Sequence, residues 1–318
     1  MAGLIGRYEI DLLSLALIFG MFALSLDLAW GITGILSLGH SAYFGLGAYM
    51  MGFALREFMI YGPPPEPSVM NTYLGLALAI IVPGALALAI GFIGFYGRVR
   101  SIYFGLIVLA LTLILEKEII DLYFITGGTN GINNIPKMAI GIGDWASLVL
   151  RSPVQFYYAV LLIVFITYLF TRKLVNSPFG RVLIAIRENE ERVETFGYNT
   201  LKYKLIAYVI SAQIAGIAGA LFAPLNVIVT PTLFNLVSAA QVFVWVIVGG
   251  QGTLIGPLMG AVVLKFIEAW LGDLFKQEYI IILGALLILI ILFLPRGLIG
   301  SLITTQYQQT RRLIKRKG

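Results

Sequence analysis

Tyr73-Leu-Gly-Leu-Ala-Leu-Ala-Ile-Ile-Val-Pro-Gly-Ala-Leu-Ala-Leu-Ala-Ile-Gly-Phe-Ile-Gly-Phe95 carries no charged side chain from one end to the other. A hydrophobic run of about 20 residues is the length of helix that crosses the ~30 Å hydrocarbon core of a bilayer. Arg98 and Arg100 follow it directly, as basic residues follow a span at the cytoplasmic face. The rest of the chain agrees. Of its 318 residues 59% are hydrophobic and 12% charged, with a mean hydropathy of +0.93. A soluble domain carries about 25% charged residues. Too few charges remain to coat a water-facing globule, so lipid is the solvent for most of the surface.

Working outward, the runs 12–30, 38–58, 102–124, 156–170, 205–224 and 280–294 also read as spans. The block 236–271 is too long for one pass. Val248-Gly-Gly-Gln-Gly-Thr-Leu-Ile-Gly-Pro257 interrupts it, giving either two short spans or a broken, re-entrant pair. The expected fold is all-α, a polytopic transmembrane helix bundle of roughly 8–10 spans with broken or short helices near Gly31–Gly47 and Gly249–Gly260. The start, Met1-Ala-Gly-Leu-Ile-Gly-Arg7, lacks a basic segment followed by a small-residue cleavage site, so the run from Leu12 reads as a retained span. Residues 1–318 are expected to form a single transmembrane permease domain, with a charged loop at 172–204 and a basic tail at 305–318.

The net charge of +6 is concentrated in that loop and tail. Such clusters mark the cytoplasmic side of a membrane protein rather than a nucleic-acid site. The segments 63–67, 125–154 and 225–235 carry few basic residues and are expected outside. Cysteine is absent and His40 is the single histidine, which excludes disulfides, thiolate nucleophiles and multi-histidine metal sites. No G-x-x-x-x-G-K-[ST] loop occurs, so any ATP that drives the protein is bound elsewhere.

Two glycine-rich interruptions stand near opposite ends of the chain, 31–47 and 249–260. Paired broken segments in the two halves of a transporter point to a midplane path. The path residues expected there are Ser37, His40, Ser41, Tyr43, Gly249, Gly250 and Thr253. For His40 a hydrogen bond at a buried helix terminus is the first expectation and lining of the path the second. Ser211, Ala215, Gly219 and Ala223 recur every four residues, with Ala212, Gly216 and Ala220 beside them. Small residues let helix backbones approach in lipid, so this helix should be buried against another, within the chain or across a dimer interface. Lys117 and Asp121, and Lys265 and Glu268, are spaced to neutralise each other on one helix face. Asp27 is the acid nearest to standing alone in a span.

Between the passes lies Ser177-Pro-Phe-Gly-Arg-Val-Leu-Ile-Ala-Ile-Arg-Glu-Asn-Glu-Glu-Arg-Val-Glu-Thr-Phe-Gly197. Pro178 opens a helix, Gly197 stops it, and Val182, Ile186, Val193 and Phe196 form an apolar stripe. The acids among its charges disfavour a helix lying on anionic lipid. A mixed-charge face with a narrow apolar stripe fits a groove on a protein partner.

These segments together resemble the permease subunits of branched-chain amino-acid ABC importers, the M-type of the two paired permeases. The resemblance is carried by Gly34-Ile-Leu-Ser-Leu-Gly-His-Ser-Ala-Tyr-Phe-Gly-Leu-Gly-Ala-Tyr49, Tyr103-Phe-Gly-Leu106, Thr126-Gly-Gly-Thr-Asn-Gly-Ile132 and Ala215-Gly-Ile-Ala-Gly-Ala220. It continues in Gly249-Gly-Gln-Gly-Thr-Leu-Ile-Gly-Pro257, Leu294-Pro-Arg-Gly-Leu298 and the 177–197 segment. In such importers a cytoplasmic E-A-A-x-x-x-G motif docks on the ATPase. Glu191-Arg-Val-Glu-Thr-Phe-Gly197 holds that position, with Arg192 and Val193 in place of the alanines. The resemblance implies ATPase coupling through Arg181, Arg187, Glu188, Glu190, Glu191, Arg192, Glu194 and Gly197. It implies ABC ATPase subunits as partners holding ATP and Mg, with no cofactor in this chain, and a second permease, identical or different. It further implies an external substrate-binding protein and a prokaryotic cytoplasmic membrane as the location. The residues themselves leave the substrate open among branched-chain amino acids, urea or short amides, and sugars, and leave a self-sufficient secondary carrier as the reading from another class.

Overall fold

The computed structural model describes residues 6–59, 61–141 and 147–276, together with Gly284 and Gly297. Helix α1 (Arg7–Leu26) runs straight into a π-helical segment, Asp27–Ile32, and then into an irregular stretch that ends at α2 (Ser41–Leu55). Helices α3 (Val69–Tyr96) and α4 (Ser101–Asp121) are joined by a short turn. A one-turn α5 (Tyr123–Thr126) and the strands β1 (Ala139–Gly141) and β2 (Ser147–Val149) precede α6 (Pro153–Asn176). Then come α7 (Pro178–Glu188), α8 (Glu190–Thr195), α9 (Thr200–Asn226), α10 (Leu236–Gly249) and α11 (Ile255–Phe275).

Local chemistry sets the helix starts. Ser152 with Gln155 makes a capping box ahead of Pro153 in the first turn of α6. Asn199 accepts the amide of Lys202 at 3.1 Å, and Asn235 that of Ser238 at 2.8 Å, opening α9 and α10. Arg7–Ile32, Val69–Tyr96, Pro153–Asn176 and Thr200–Asn226 are long and apolar enough to cross a membrane. Helices α2 and α10, with 15 and 14 residues, reach only about 22 and 21 Å at 1.5 Å per residue. Both stop at the glycine-rich interruptions. The block 236–271 thus resolves into the short α10 and the longer α11, and the span expected at 280–294 lies outside the described residues, as do the Leu294–Leu298 motif and the basic tail.

Helix α9 is the axis of the bundle and packs on α2 and α3. A Cβ at Gly219 would overlap the Phe44 carbonyl, and one at Gly216 the carbonyl of Ala79, so the three backbones touch. The small-residue stripe therefore serves packing inside the subunit. Of the intramembrane charges, Lys265 and Glu268 pair at 2.8 Å, with the amine 4.7 Å from the Phe19 ring centroid. Lys117 and Asp121 pair at 3.7 Å on an exposed face, where such a contact contributes little.

The connections segregate to two ends. At one, Ile132 bridges Val229, Tyr61 donates to the Tyr123 carbonyl at 3.1 Å, and Lys137 donates to the Pro224 carbonyl at 2.9 Å. Strands β1 and β2 pair antiparallel there, with Ile140 opposite Leu148, a small sheet that helical periodicity gave no hint of. At the other, basic end lie residues 33–36, the α3–α4 turn and α7–α8, joined by Ser101 Oγ donating to the Gly34 carbonyl at 3.1 Å and by Lys204 to Glu190 at 3.0 Å.

One sequence expectation is corrected here. The charged element is two helices, because Asn189 takes an extended backbone, ends α7 and accepts the Arg192 amide at 2.9 Å to start α8. That break rotates the stripe. Leu183, Ile186 and Val193 are buried against the bundle, whereas Phe196 is 74% exposed. Gly197 does end the element, with φ +85° in the left-handed region.

Candidate functional site

The two interruptions, far apart in sequence, meet at one carboxylate. Asp27 starts the π-helical segment and is fully buried. Its Oδ1 accepts the amide of Gly252 at 2.6 Å and its Oδ2 that of Leu254 at 3.0 Å, both in the turn between α10 and α11. A buried carboxylate needs such donors, and broken helices supply backbone amides that no helical carbonyl has taken. Gly31 completes the junction. A Cβ there would overlap Asp27 Oδ1 and lie 2.7 Å from the Gly252 amide. Thr253 folds back on the same turn, donating to the Gly250 carbonyl at 2.7 Å and accepting the Gly256 amide at 3.1 Å.

From the basic end, Arg187 of α7 reaches this junction. Its guanidinium donates to the Gly31 carbonyl and lies against Gly252, and its stem packs on Gly34. One side chain of the water-side helix therefore touches both interruptions.

Deeper in the bundle is a closed polar cluster. His40 Nε2 is 3.0 Å from Ser25 Oγ and 3.3 Å from Ser211 Oγ, and its Nδ1 is 3.3 Å from Ser37 Oγ. Ser37 in turn meets the Tyr208 hydroxyl at 3.3 Å, which meets that of Tyr43 at 2.7 Å. Phe22 stacks on the imidazole with centroids 6.0 Å apart, while Phe95 and Phe104 wall Tyr208. Every member is buried, and the neighbouring Ser41 Oγ has no hydrogen-bond partner among the described residues. In this conformation the helices are shut around the cluster.

Two clefts flank α7 and α8. One of about 590 Å³ lies between these helices and the bundle, reaching Gly34, Ser101 and Phe104. The other, about 670 Å³, runs along their outer face and is lined by Phe179, Val182, Arg192, Val193, Phe196 and Tyr203.

The path residues expected from sequence thus fall into two neighbouring places. Ser37, His40 and Tyr43 join the buried cluster with Ser41 beside it, and Gly249, Gly250 and Thr253 belong to the second interruption. His40 sits at the start of α2 but makes no cap; its ring bonds three serines instead. Of the charged residues expected on α7–α8, Arg187 turns inward and Glu190 is tied to Lys204. Glu194 accepts from Thr200 at 2.8 Å. Arg181 and Arg192 line the outer cleft, Glu191 the inner one, and Glu188 both. Sequence reasoning missed Ser25, Tyr208 and Ser211 as partners of His40 and Asp27 as the link between interruptions. Tyr208 and Ser211, three apart on one helix face, were the available signal.

The family model described as the branched-chain amino acid transport system permease component matches residues 9–292. The high-affinity branched-chain amino acid transport system permease protein LivM of Escherichia coli K12 is 30% identical over 93% of this chain and 71% of its own length. The probable LivM of Methanocaldococcus jannaschii is 30% identical over 92% of this chain and 94% of its own. The high-affinity permease protein LivH of Escherichia coli K12 is 23% identical over 89% and 91%. No solved structure matches the chain.

Proposed function

The chain belongs to the family of permease components of branched-chain amino-acid transport systems, and from that premise we propose that it forms one half of the translocation path of an ABC importer for leucine, isoleucine and valine. Residues 1–318 act as one transmembrane domain in a prokaryotic cytoplasmic membrane, with the basic end inside. A second permease completes the path, ATPase subunits holding ATP and Mg grip α7 and α8 from below, and an external binding protein delivers substrate. This chain needs no cofactor of its own.

The observation that supports this reading best is the position of Arg187. It stands on the helix a motor would move, and it touches Gly31 and Gly252, one residue in each interruption. A displacement of α7 is therefore delivered to both breaks at once, and through Gly31 and Asp27 to the helices that enclose the His40 cluster. Such a displacement shifts the population only if the ATPase binds α7–α8 differently in its two nucleotide states. The outer cleft, with Phe196 and Val182 beside Arg181 and Arg192, has the mixed character of a surface made for a protein partner.

The test is uptake of labelled leucine into proteoliposomes holding this chain with its partner permease, ATPases and binding protein. Accumulation should require internal ATP and vanish when the ATPases are omitted. Solute accumulation by the chain alone would refute the proposal.

A further inference from the structure

The cleft of about 590 Å³ on the inner side of α7–α8 falls within the ~300–1,000 Å³ of small-molecule sites. Its two walls carry opposite charge. The bundle wall presents Arg98 and Arg100 from the α3–α4 turn, and the α7–α8 wall presents Glu188 and Glu191. None of these four has an ion-pair partner among the described residues, whereas the neighbouring Lys204 and Glu190 are already paired. Between the charged walls the floor is apolar, made by Ile35, Phe95, Phe104, Ile186 and Leu201. Cations on one side, anions on the other and an apolar floor match the chemistry of a zwitterion with an aliphatic side chain.

We propose that this cleft is a site for a free aliphatic α-amino acid on the basic side of the membrane, and that its occupation holds the transporter back when the product accumulates. The carboxylate faces Arg98 and Arg100, the ammonium faces Glu188 and Glu191, and the side chain covers the floor. One wall is the element that must move and the other is the bundle it moves against. A ligand that binds both walls favours the conformation in which they stand at this separation and opposes the displacement. The inference rests on the reading of α7–α8 as the moving element, and it adds feedback by the transported amino acid.

The test compares initial ATP-driven leucine uptake by the complete complex in vesicles loaded with L-leucine, glycine or isocaproate, each against empty vesicles. Glycine lacks the aliphatic chain and isocaproate the ammonium. Internal leucine should slow uptake, and the other two should not at equal concentration. In R98Q/R100Q, and separately in E188Q/E191Q, the internal leucine needed for half-inhibition should rise about tenfold or more, each variant being referred to its own empty vesicles. Direct binding of labelled leucine to the purified complex without binding protein should weaken by the same factor. ATP-driven uptake that internal leucine leaves untouched, inhibition equal for all three solutes, or inhibition and binding unchanged in both variants would each overturn the site while leaving the importer assignment intact. Absence of ATP-driven uptake into empty wild-type vesicles would instead strike the importer assignment, and direct binding would still decide whether the cleft takes leucine.

Discussion

Replacing Gly31 with alanine places a methyl group where the Asp27 carboxylate and the Gly252 amide already stand. Helix propensity by itself favours alanine over glycine by about 1 kcal/mol. The geometry reverses the sign. The new Cβ overlaps Oδ1 and sits 2.7 Å from the Gly252 nitrogen, so the carboxylate must leave its two amides or the two segments must part. Each hydrogen bond to a charged group contributes about 1.5–3 kcal/mol, so losing both costs about 3–6 kcal/mol. Asp27→Ala removes the carboxylate directly and leaves two buried amides orphaned, at about 1–3 kcal/mol each. Once Asp27 is gone, alanine at 31 has little left to displace. The double variant should therefore be scarcely worse than Asp27→Ala, with a coupling of at least about 2 kcal/mol between the two sites. Unfolding of the detergent-solubilised chain by denaturant gives the stability arm of the cycle, and leucine uptake by the reconstituted complex gives the functional arm. Additive costs, or a Gly31→Ala protein as stable as the parent, would refute the claim that this carboxylate joins the two interruptions.

Other consequences can be checked separately. Arg187→Ala should cut transport while ATP hydrolysis by the complex persists, since the link from α7 to Gly31 is lost; Arg192→Ala, on the outer face, should instead weaken ATPase retention during purification. Equal uncoupling by both would argue against a special place for Arg187. His40→Ala should destabilise the chain by about 1–3 kcal/mol through serine hydroxyls left short of a partner, more if a cavity remains, and thermal retention of monodisperse protein should register it. Gly219→Val should abolish folding into the membrane, because the Cβ overlaps the Phe44 carbonyl; normal levels of monodisperse protein would contradict the close α2–α9 crossing.

The membrane fold was legible in the sequence because the bilayer imposes a length and a polarity that a single segment such as 73–95 must satisfy alone. The intrahelical ion pairs were legible for the same reason, since i,i+3 and i,i+4 spacing fixes them before any tertiary contact exists. The charged element between α6 and α9 was read correctly as water-facing and amphipathic. Its break at Asn189 was not, because a capping side chain competes with continued helix by a margin that local sequence does not settle.

By itself, then, the sequence determined that the chain lies in lipid, that its basic residues share one end, and that two glycine-rich segments interrupt its helices. Only the tertiary structure decided that those segments, 225 residues apart at Asp27 and Gly252, are tied by one carboxylate. It also decided that Arg187 reaches that tie and that His40 binds serines from α1 and α9. The division has a physical cause. Solvent preference and helix periodicity act residue by residue, whereas an unpaired amide in a broken helix must find its acceptor wherever the packing of the whole bundle brings one.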